Sequence, residues 1–151
     1  MTLKFEPLCK DNYQSSFSIQ QQSHLVPWSE AVFADCFTPP YFSFQLCVDK
    51  KVVGYCVGMA VAGEGTLMDI GVLASEQGKG YGKALLTEFT QQAKKLACTE
   101  LWLEVRQSNH TAISLYQKAG YEVIEKRLGY YANKKGREDG LIMRAMLNNA
   151  D

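Results

Sequence analysis

The sequence has no excess charge of either sign: Lys plus Arg number 16 and Asp plus Glu number 16, for a formal net charge of zero. A balanced chain has no long-range attraction for nucleic acid or an anionic membrane, although a local cationic patch for one phosphate group remains compatible with it. No apolar run approaches the roughly 18 residues of a membrane span. The N-terminal stretch MTLKFEPLCKDNYQ lacks the apolar core of a secretory signal. Histidine is nearly absent, with only His24 and His110. The five cysteines (Cys9, Cys36, Cys47, Cys56, Cys98) are odd in number and scattered, with no C-x-x-C pair. That pattern argues against a zinc site and a disulfide frame; it reads as buried, reduced thiols of a cytoplasmic protein, with no metal expected. Repeats, low-complexity tracts and linker-like stretches are also missing. The 151 residues, 46 % of them hydrophobic, are therefore expected to form one domain with a substantial core.

What is present alternates between strand-like and helix-like segments. Residues 3–8 read as a first strand. Asp11 with Gln14 resembles a capping box that opens a helix to about Ser23, and Pro27 ends that region. Ser29 caps a second short helix to about Phe37, broken by Thr38-Pro39-Pro40. Strands over 43–48, 52–61 and 66–73, joined by turn-forming residues at 49–51 and 62–65, form an antiparallel meander. After Gly82, Leu85, Phe89, Ala93 and Leu96 recur at helical spacing. Residues 100–106 alternate as a strand, with Leu101, Leu103 and Val105 on one face and Trp102, Glu104 and Arg106 on the other. Asn109 caps the next helix, whose inner stripe is Ala112, Leu115, Tyr116 and Ala119, with Gly120 as its C-terminal stop. Strands over 121–126 and 141–146 flank a polar loop, 128–140, in which Lys134-Lys135 reads as a solvated pair. The strand–helix–strand–helix–strand run from residue 66 suggests parallel pairing and an α/β class with a mixed sheet.

The most informative stretch is Gln77-Gly78-Lys79-Gly80-Tyr81-Gly82-Lys83, between a strand and a long helix. Alternate glycines let the backbone approach a ligand without Cβ interference. The first amides of a helix have no partner inside it, and that helix end carries about half a positive charge. Such a place binds phosphate, and Lys79 and Lys83 would add cationic contacts. The spacing is neither a Walker A loop nor a G-x-G-x-x-G fingerprint. Taken alone, three glycines are as compatible with a plain connection.

The loop contains Gln77-x-x-Gly80-x-Gly82, which resembles the pyrophosphate-binding motif of the GCN5-related N-acetyltransferase (GNAT) superfamily. A second signature follows at the family's distance: Asn109-x-x-Ala112-x-x-Leu115-Tyr116-x-x-x-Gly120-Tyr121. Pro27-Trp28-Ser29, residues 101–106, Tyr130-Tyr131 and Gly136-Arg137-Glu138-Asp139 are similar to segments of the branch that acetylates the N-terminal alanine of a small-subunit ribosomal protein. The resemblance covers essentially the whole chain. It implies a mixed, mostly antiparallel central sheet flanked by helices, with a parallel, splayed strand pair at the cofactor site. It also implies acetyl-CoA as the acetyl donor and a protein N-terminus as the acceptor. By position it assigns the backbone of Ile70, Gly71 and Val72 to the pantetheine arm and the acetyl carbonyl. Gly78, Lys79, Gly80, Tyr81, Gly82 and Lys83 fall to the pyrophosphate, and Asn109 to a further cofactor contact. Glu104 takes the place of the general base and Tyr116 that of the general acid. One departure is Asp69-Ile70-Gly71-Val72, where the family has Asn and Ala at the first and third positions.

Chemistry gives these residues work and also leaves alternatives. An α-amine, with a pKa near ~7.7–8.0, is mostly protonated at neutral pH and must lose a proton to attack a thioester. Glu104 is the carboxylate on the polar side of its strand; its plain alternative is an ion-pair partner for Arg106. An unpaired amide in a bulge near Ile70–Val72 would suit an oxyanion. Tyr116 would protonate the leaving thiolate, but it also sits at core spacing. Pro27-Trp28 and Tyr130-Tyr131 line a peptide groove or pack the core. Glu138 and Asp139 attract a cationic substrate or form a solvated turn. Cys98 has no nearby histidine, so direct transfer in a ternary complex is expected rather than an acetyl-cysteine. A small-amine acetyltransferase and an inactive CoA-binding module are the rival readings. The sequence sets no oligomeric state; a monomer is compatible with it.

Overall fold

The structure, a computed structural model, describes residues 2–133 and 135–147; Lys134, read above as a solvated surface residue, lies outside them. The chain runs β1 (Leu3–Pro7), α1 (Gln14–Ser23), α2 (Glu30–Ala34, continued as a 3-10 turn to Phe37), β2 (Tyr41–Val48), β3 (Lys51–Val61), β4 (Glu64–Val72), α3 (Tyr81–Lys95), β5 (Glu100–Arg106), α4 (His110–Lys118), β6 (Glu122–Asn133) and β7 (Gly136–Met146). The strands form one seven-stranded sheet in the order β1-β2-β3-β4-β5-β7-β6. The meander from β2 to β4 is antiparallel. Its turns carry left-handed residues, Asp49 and Lys50 in one and Ala62 and Gly63 in the other, as tight hairpins require.

Among the described residues only β4 and β5 pair in parallel, through Glu64–Leu67 against Glu100–Leu103. The expectation of further parallel pairing after β5 fails. β7 inserts between β5 and β6 and is antiparallel to both. Composition explains the order. β7 buries Ile142, Met143 and Ala145, as an interior strand must. β6 carries Glu122, Glu125, Lys126 and Arg127, which suit an edge. Residues 128–133 and 136–140, expected as loop, are strand. Their pairing is interrupted where Leu128–Tyr130 of β6 oppose the single residue Asp139, a bulge stabilised by Gly129 N donating to Asp139 Oδ1 at 2.9 Å.

The two faces of the sheet carry separate cores. One packs Tyr81, Leu85, Leu86, Phe89 and Ala93 of α3, with Tyr116 of α4, onto Phe44, Leu46, Leu67, Leu101 and Leu103. The other packs Ile19 of α1 and Phe33 of α2 onto Tyr55 and Val57. Truncating a buried leucine such as Leu85 costs about 2–5 kcal/mol. Leu96 and Ala119, expected inside, are exposed, because each lies at or beyond the last turn of its helix. The Asp11–Gln14 capping box does not form. α1 begins one residue after Tyr13, and Asn12 instead accepts from Cys9 N at 2.8 Å. Ser29 and Asn109 cap as expected, accepting from Val32 N and Ala112 N. Cys36, Cys56 and Cys98 are buried thiols outside any disulfide, but Cys9 is exposed and Cys47 half-buried, contrary to the expectation of uniformly buried thiols. No described helix is long and apolar enough to cross a membrane.

Candidate active site

The parallel pairing stops at Leu67 and Leu103, and the two strands part beyond it. β4 continues to Val72 and β5 to Arg106 with no ladder between them. Backbone groups of β4 that would face β5 are left for a ligand. The gap opens into a cleft of about 690 Å³ lined by Thr66–Val72, Gln77, Glu104–Arg106, Asn109 and Tyr116, and, from the other side, by His24, Trp28, Tyr130 and Tyr131. The predicted pair Glu104 and Tyr116 therefore shares one cavity with Ile70, Gly71, Val72 and Asn109.

At one end of the cleft lies the glycine loop. Gly78 and Gly80 have φ of +80° and +87°, and a Cβ on either would meet no protein atom. Gly82 is helical, and its Cβ would touch only Leu115, at 3.7 Å. Nothing inside the protein demands glycine at Gly82; the open space in front of it does. The first amide to find a helical acceptor is Ala84 N, on Gly80 O at 3.1 Å; Gly82 N and Lys83 N find no backbone acceptor among the described residues. Gln77 Nε2 donates to Val72 O at 3.2 Å and ties the loop to the end of β4. Donor amides around a Cβ-free surface fit a diphosphate. The side chains divide differently from the expectation. Tyr81 is buried in the core, so only its backbone faces the cradle. Lys79 is held by Glu76 at 2.7 Å, which raises the lysine's pKa and lowers the carboxylate's. Lys83 makes no ion pair among the described residues and is the loop's uncommitted cation.

Glu104 sits on the polar face of β5, its side chain about one-third exposed. Arg106 is not its partner. The Arg106 guanidinium donates to Ala132 O at 2.5 Å and Glu138 Oε1 at 3.2 Å, and lies 4.7 Å over the Tyr131 ring. Glu104 is instead 3.6 Å from Arg127, an arginine that also stacks on Tyr130. Glu138 is occupied by Ser108 N as well, and hydrogen bonding from Ser108, with Arg106 beside it, holds its carboxyl below the usual range. Asp139 is engaged by Gly129 N. Glu138 ties β7 to Arg106 of β5, and Asp139 holds the β6–β7 bulge, so both carboxylates are engaged by the protein rather than standing free for a cationic substrate.

Tyr116 is 5 % exposed and packs on Tyr121, yet it reaches the cleft wall. Its hydroxyl has no hydrogen bond among the described residues, and burial, with Cys56 and Asp69 nearby, pushes its pKa well up, so it is a neutral phenol at physiological pH. Core packing and a cleft-facing hydroxyl coexist in this residue. The bulge anticipated near Ile70–Val72 lies earlier, at Met68, the extra residue between Leu67 and Asp69 opposite β3. It turns Leu67 to the α3 face and Asp69 to the α1 face. Asp69 is buried and accepts from Tyr55 Oη at 2.7 Å, with His24 Nε2 at 2.9 Å. Gly71 is required there, since a Cβ would lie 2.6 Å from the Tyr55 ring. The two departures of this strand from the family pattern thus serve one packing arrangement. Sequence reasoning missed His24 and Tyr55 as site residues; the signal was limited to the unexpected Asp69 and Gly71.

Comparison with known proteins agrees with this geometry. The acetyltransferase (GNAT) family model matches residues 8–121. The [ribosomal protein bS18]-alanine N-acetyltransferase of Escherichia coli (strain K12) is 38 % identical over 129 residues, covering 85 % of this chain and 87 % of that protein. The protein of that name from Haemophilus influenzae is 35 % identical over 137 residues, covering 90 % and 93 %. The crystal structure of the ribosomal-protein-S18-alanine N-acetyltransferase from Escherichia coli superposes with a TM-score of 0.92 at 34 % identity, over 97 % of this chain and 95 % of that one. With a family model spanning most of its length, relatives this similar over nearly all of it, and the same splayed sheet, the chain belongs to the GNAT acetyltransferase family.

Proposed function

We propose that this chain, folded as one domain, acts in the cytoplasm to transfer an acetyl group from acetyl-CoA to the N-terminal alanine of ribosomal protein bS18. The acceptor follows from the names of relatives 35–38 % identical over most of the chain. The observation that carries the chemistry is the splay of β4 from β5, which sets the carboxylate of Glu104 in one cleft with the unpaired edge of Ile70–Val72.

The amides beginning α3, with Lys83, hold the diphosphate, and Asn109 adds a contact while it caps α4. The edge of β4 at Ile70–Val72 would hold the amide-bearing arm of the cofactor, and its amides would stabilise negative charge on the carbonyl oxygen. When bound, acetyl-CoA supplies an acetyl group as a thioester open to attack by an amine. Glu104 accepts the proton that the nitrogen gives up as its bond to the acetyl carbon forms. Tyr116, neutral and within the cleft, donates its proton on the leaving side. Trp28, Tyr130 and Tyr131 line the opposite wall, where a peptide would lie.

The test is turnover. The purified chain, acetyl-CoA and an alanine-initiated peptide should give free CoA and a peptide acetylated at its N-terminus by mass spectrometry. Turnover confined to free polyamines or aminoglycosides would assign a small-amine acceptor, and CoA binding without turnover on any amine would leave only a binding module.

A further inference from the structure

The cleft holds a second set of titratable groups that the reading above does not use. His24, just beyond α1, has a side chain 36 % exposed, and Asp69, turned inward by the Met68 bulge, has one 4 % exposed. Asp69 receives two partners, Tyr55 Oη at 2.7 Å and His24 Nε2 at 2.9 Å. A carboxylate only accepts, so the proton between them belongs to Nε2, and the lone pair of the neutral ring lies on Nδ1. Nδ1 has no hydrogen bond among the described residues. His24 lines the same cleft as Glu104 and Tyr116. A carboxylate that fixes the tautomer of an imidazole and steadies the imidazolium is the arrangement by which the histidine of a Ser-His-Asp triad takes a proton during reaction.

The balance of the reaction leaves a place for such a group. An ammonium that becomes an acetamide loses two protons from nitrogen. One replaces the proton that Tyr116 gives to the sulfur, and the other goes to solvent. Glu104 accounts for one departure, and the other passes to water directly or through a second acceptor on the substrate side.

Resting on the acetyl-transfer reading, we propose that His24, its tautomer fixed by Asp69 and Tyr55, is the acceptor that takes the first proton from the substrate ammonium, before Glu104 takes the second. The N–H bond breaks, its electron pair stays on nitrogen, and the proton bonds to Nδ1. The imidazolium is balanced by Asp69 and returns its proton to water through its exposed edge. The hydrogen bond that His24 donates to Asp69 raises the His24 pKa above the ordinary 6.5, against burial and the Arg106 cation, and so brings it toward that of an α-amine. The charged groups that act on the ring are Asp69 of β4 and Arg106 of β5, and Tyr55 of β3 reaches it only through Asp69. α1 brings no charged residue, and Glu30 of α2 is turned to Tyr13.

The chain has two histidines, so ¹⁵N-histidine labelling of the full protein gives two ring systems, assigned with His24→Gln. The neutral His24 ring should show protonated Nε2 and unprotonated Nδ1, and Asp69→Asn should abolish that preference. A ring protonated at Nδ1 overturns the proposal. His24→Gln keeps a donor for Asp69, so acetyl-CoA affinity should hold while kcat on the alanine-initiated peptide falls about 10- to 100-fold. The acid limb of the pH–rate profile should move, and free imidazole should restore part of the rate to His24→Ala. Unchanged kcat and pH profile in His24→Gln overturn the proposal and leave the acetyl-transfer reading standing. No turnover by the unaltered chain overturns both, whatever the tautomer.

Discussion

The two ends of the cleft are built from different materials. At the α3 end the contacts come from backbone: amides of the Gly78–Lys83 loop and the open edge of β4, with glycines that keep Cβ atoms away. At the α1 and β6 end they come from side chains, namely His24, Trp28, Asp69, Glu104, Tyr130 and Tyr131, supplied by segments far apart in the chain. On the proposed reading, the backbone end grips the diphosphate of acetyl-CoA, and the side-chain end chooses the acceptor and handles its protons. The two ends should therefore fail in different ways when altered.

The largest expected effect is at the side-chain end. Glu104→Gln keeps the shape and removes the base, so kcat should fall by roughly 10²- to 10⁴-fold with acetyl-CoA affinity unchanged in a calorimetric titration. Undiminished kcat would remove Glu104 from the mechanism and leave its contact with Arg127 as its role. The complementary substitution at the backbone end is Gly82→Val. Its Cβ meets no protein atom closer than 3.7 Å, so the fold should survive. The added methyls would occupy the space in front of the amides, and acetyl-CoA affinity should fall about 100-fold, or ~2.7 kcal/mol. Normal affinity in a folded Gly82→Val protein would show that the phosphates lie elsewhere.

Gly71→Ala probes the seam between the two ends. The family pattern has alanine at this strand position, but here the new Cβ would lie 2.6 Å from the Tyr55 ring, which is fully buried and cannot swing away without breaking its bond to Asp69. Overpacking of this kind costs about 1–3 kcal/mol, readable as a lower urea midpoint at unchanged slope. Tyr55→Phe should relieve none of this clash, because the ring itself is in the way. If Gly71→Ala leaves stability untouched, then Gly71, Tyr55 and Asp69 are not one packing unit.

The same division explains how much of the molecule was legible in the sequence. The backbone end could be read because its residues are contiguous: three glycines, a helix start and the strand before them fall within Ile70–Lys83. Glu104 and Tyr116 were legible through a strand alternation and a helix motif. The His24–Asp69 contact joins residues 45 apart, and no local periodicity reports it. Two expectations failed for reasons of tertiary context. Strand order after β5 depends on which of two late strands is apolar enough to be interior, and β7 wins with Ile142, Met143 and Ala145. The apparent polar loop is strand over residues 128–133 and 136–140 because its acidic residues find partners, Arg106 of β5 for Glu138 and Gly129 across the bulge for Asp139. A local polarity pattern carries no information about those partners.

The smallest effect tests the His24–Asp69 contact through stability alone, with no reference to turnover. The folded protein binds the His24 proton more tightly than the unfolded chain does, chiefly through the hydrogen bond to Asp69, with burial opposing. A group whose folded pKa is raised adds stability that is fully present below the unfolded value of about 6.5 and is lost as pH rises through the folded value. Urea unfolding of the unaltered chain should therefore show stability declining with pH just above ~6.5. The decline should be modest, because the ring is partly exposed and solvent screens the pair. In Asp69→Asn the carboxylate is gone and this contribution to the slope should disappear, whatever the change in absolute stability. Equal slopes in the two proteins would mean that the imidazole and the carboxylate are neighbours without being coupled.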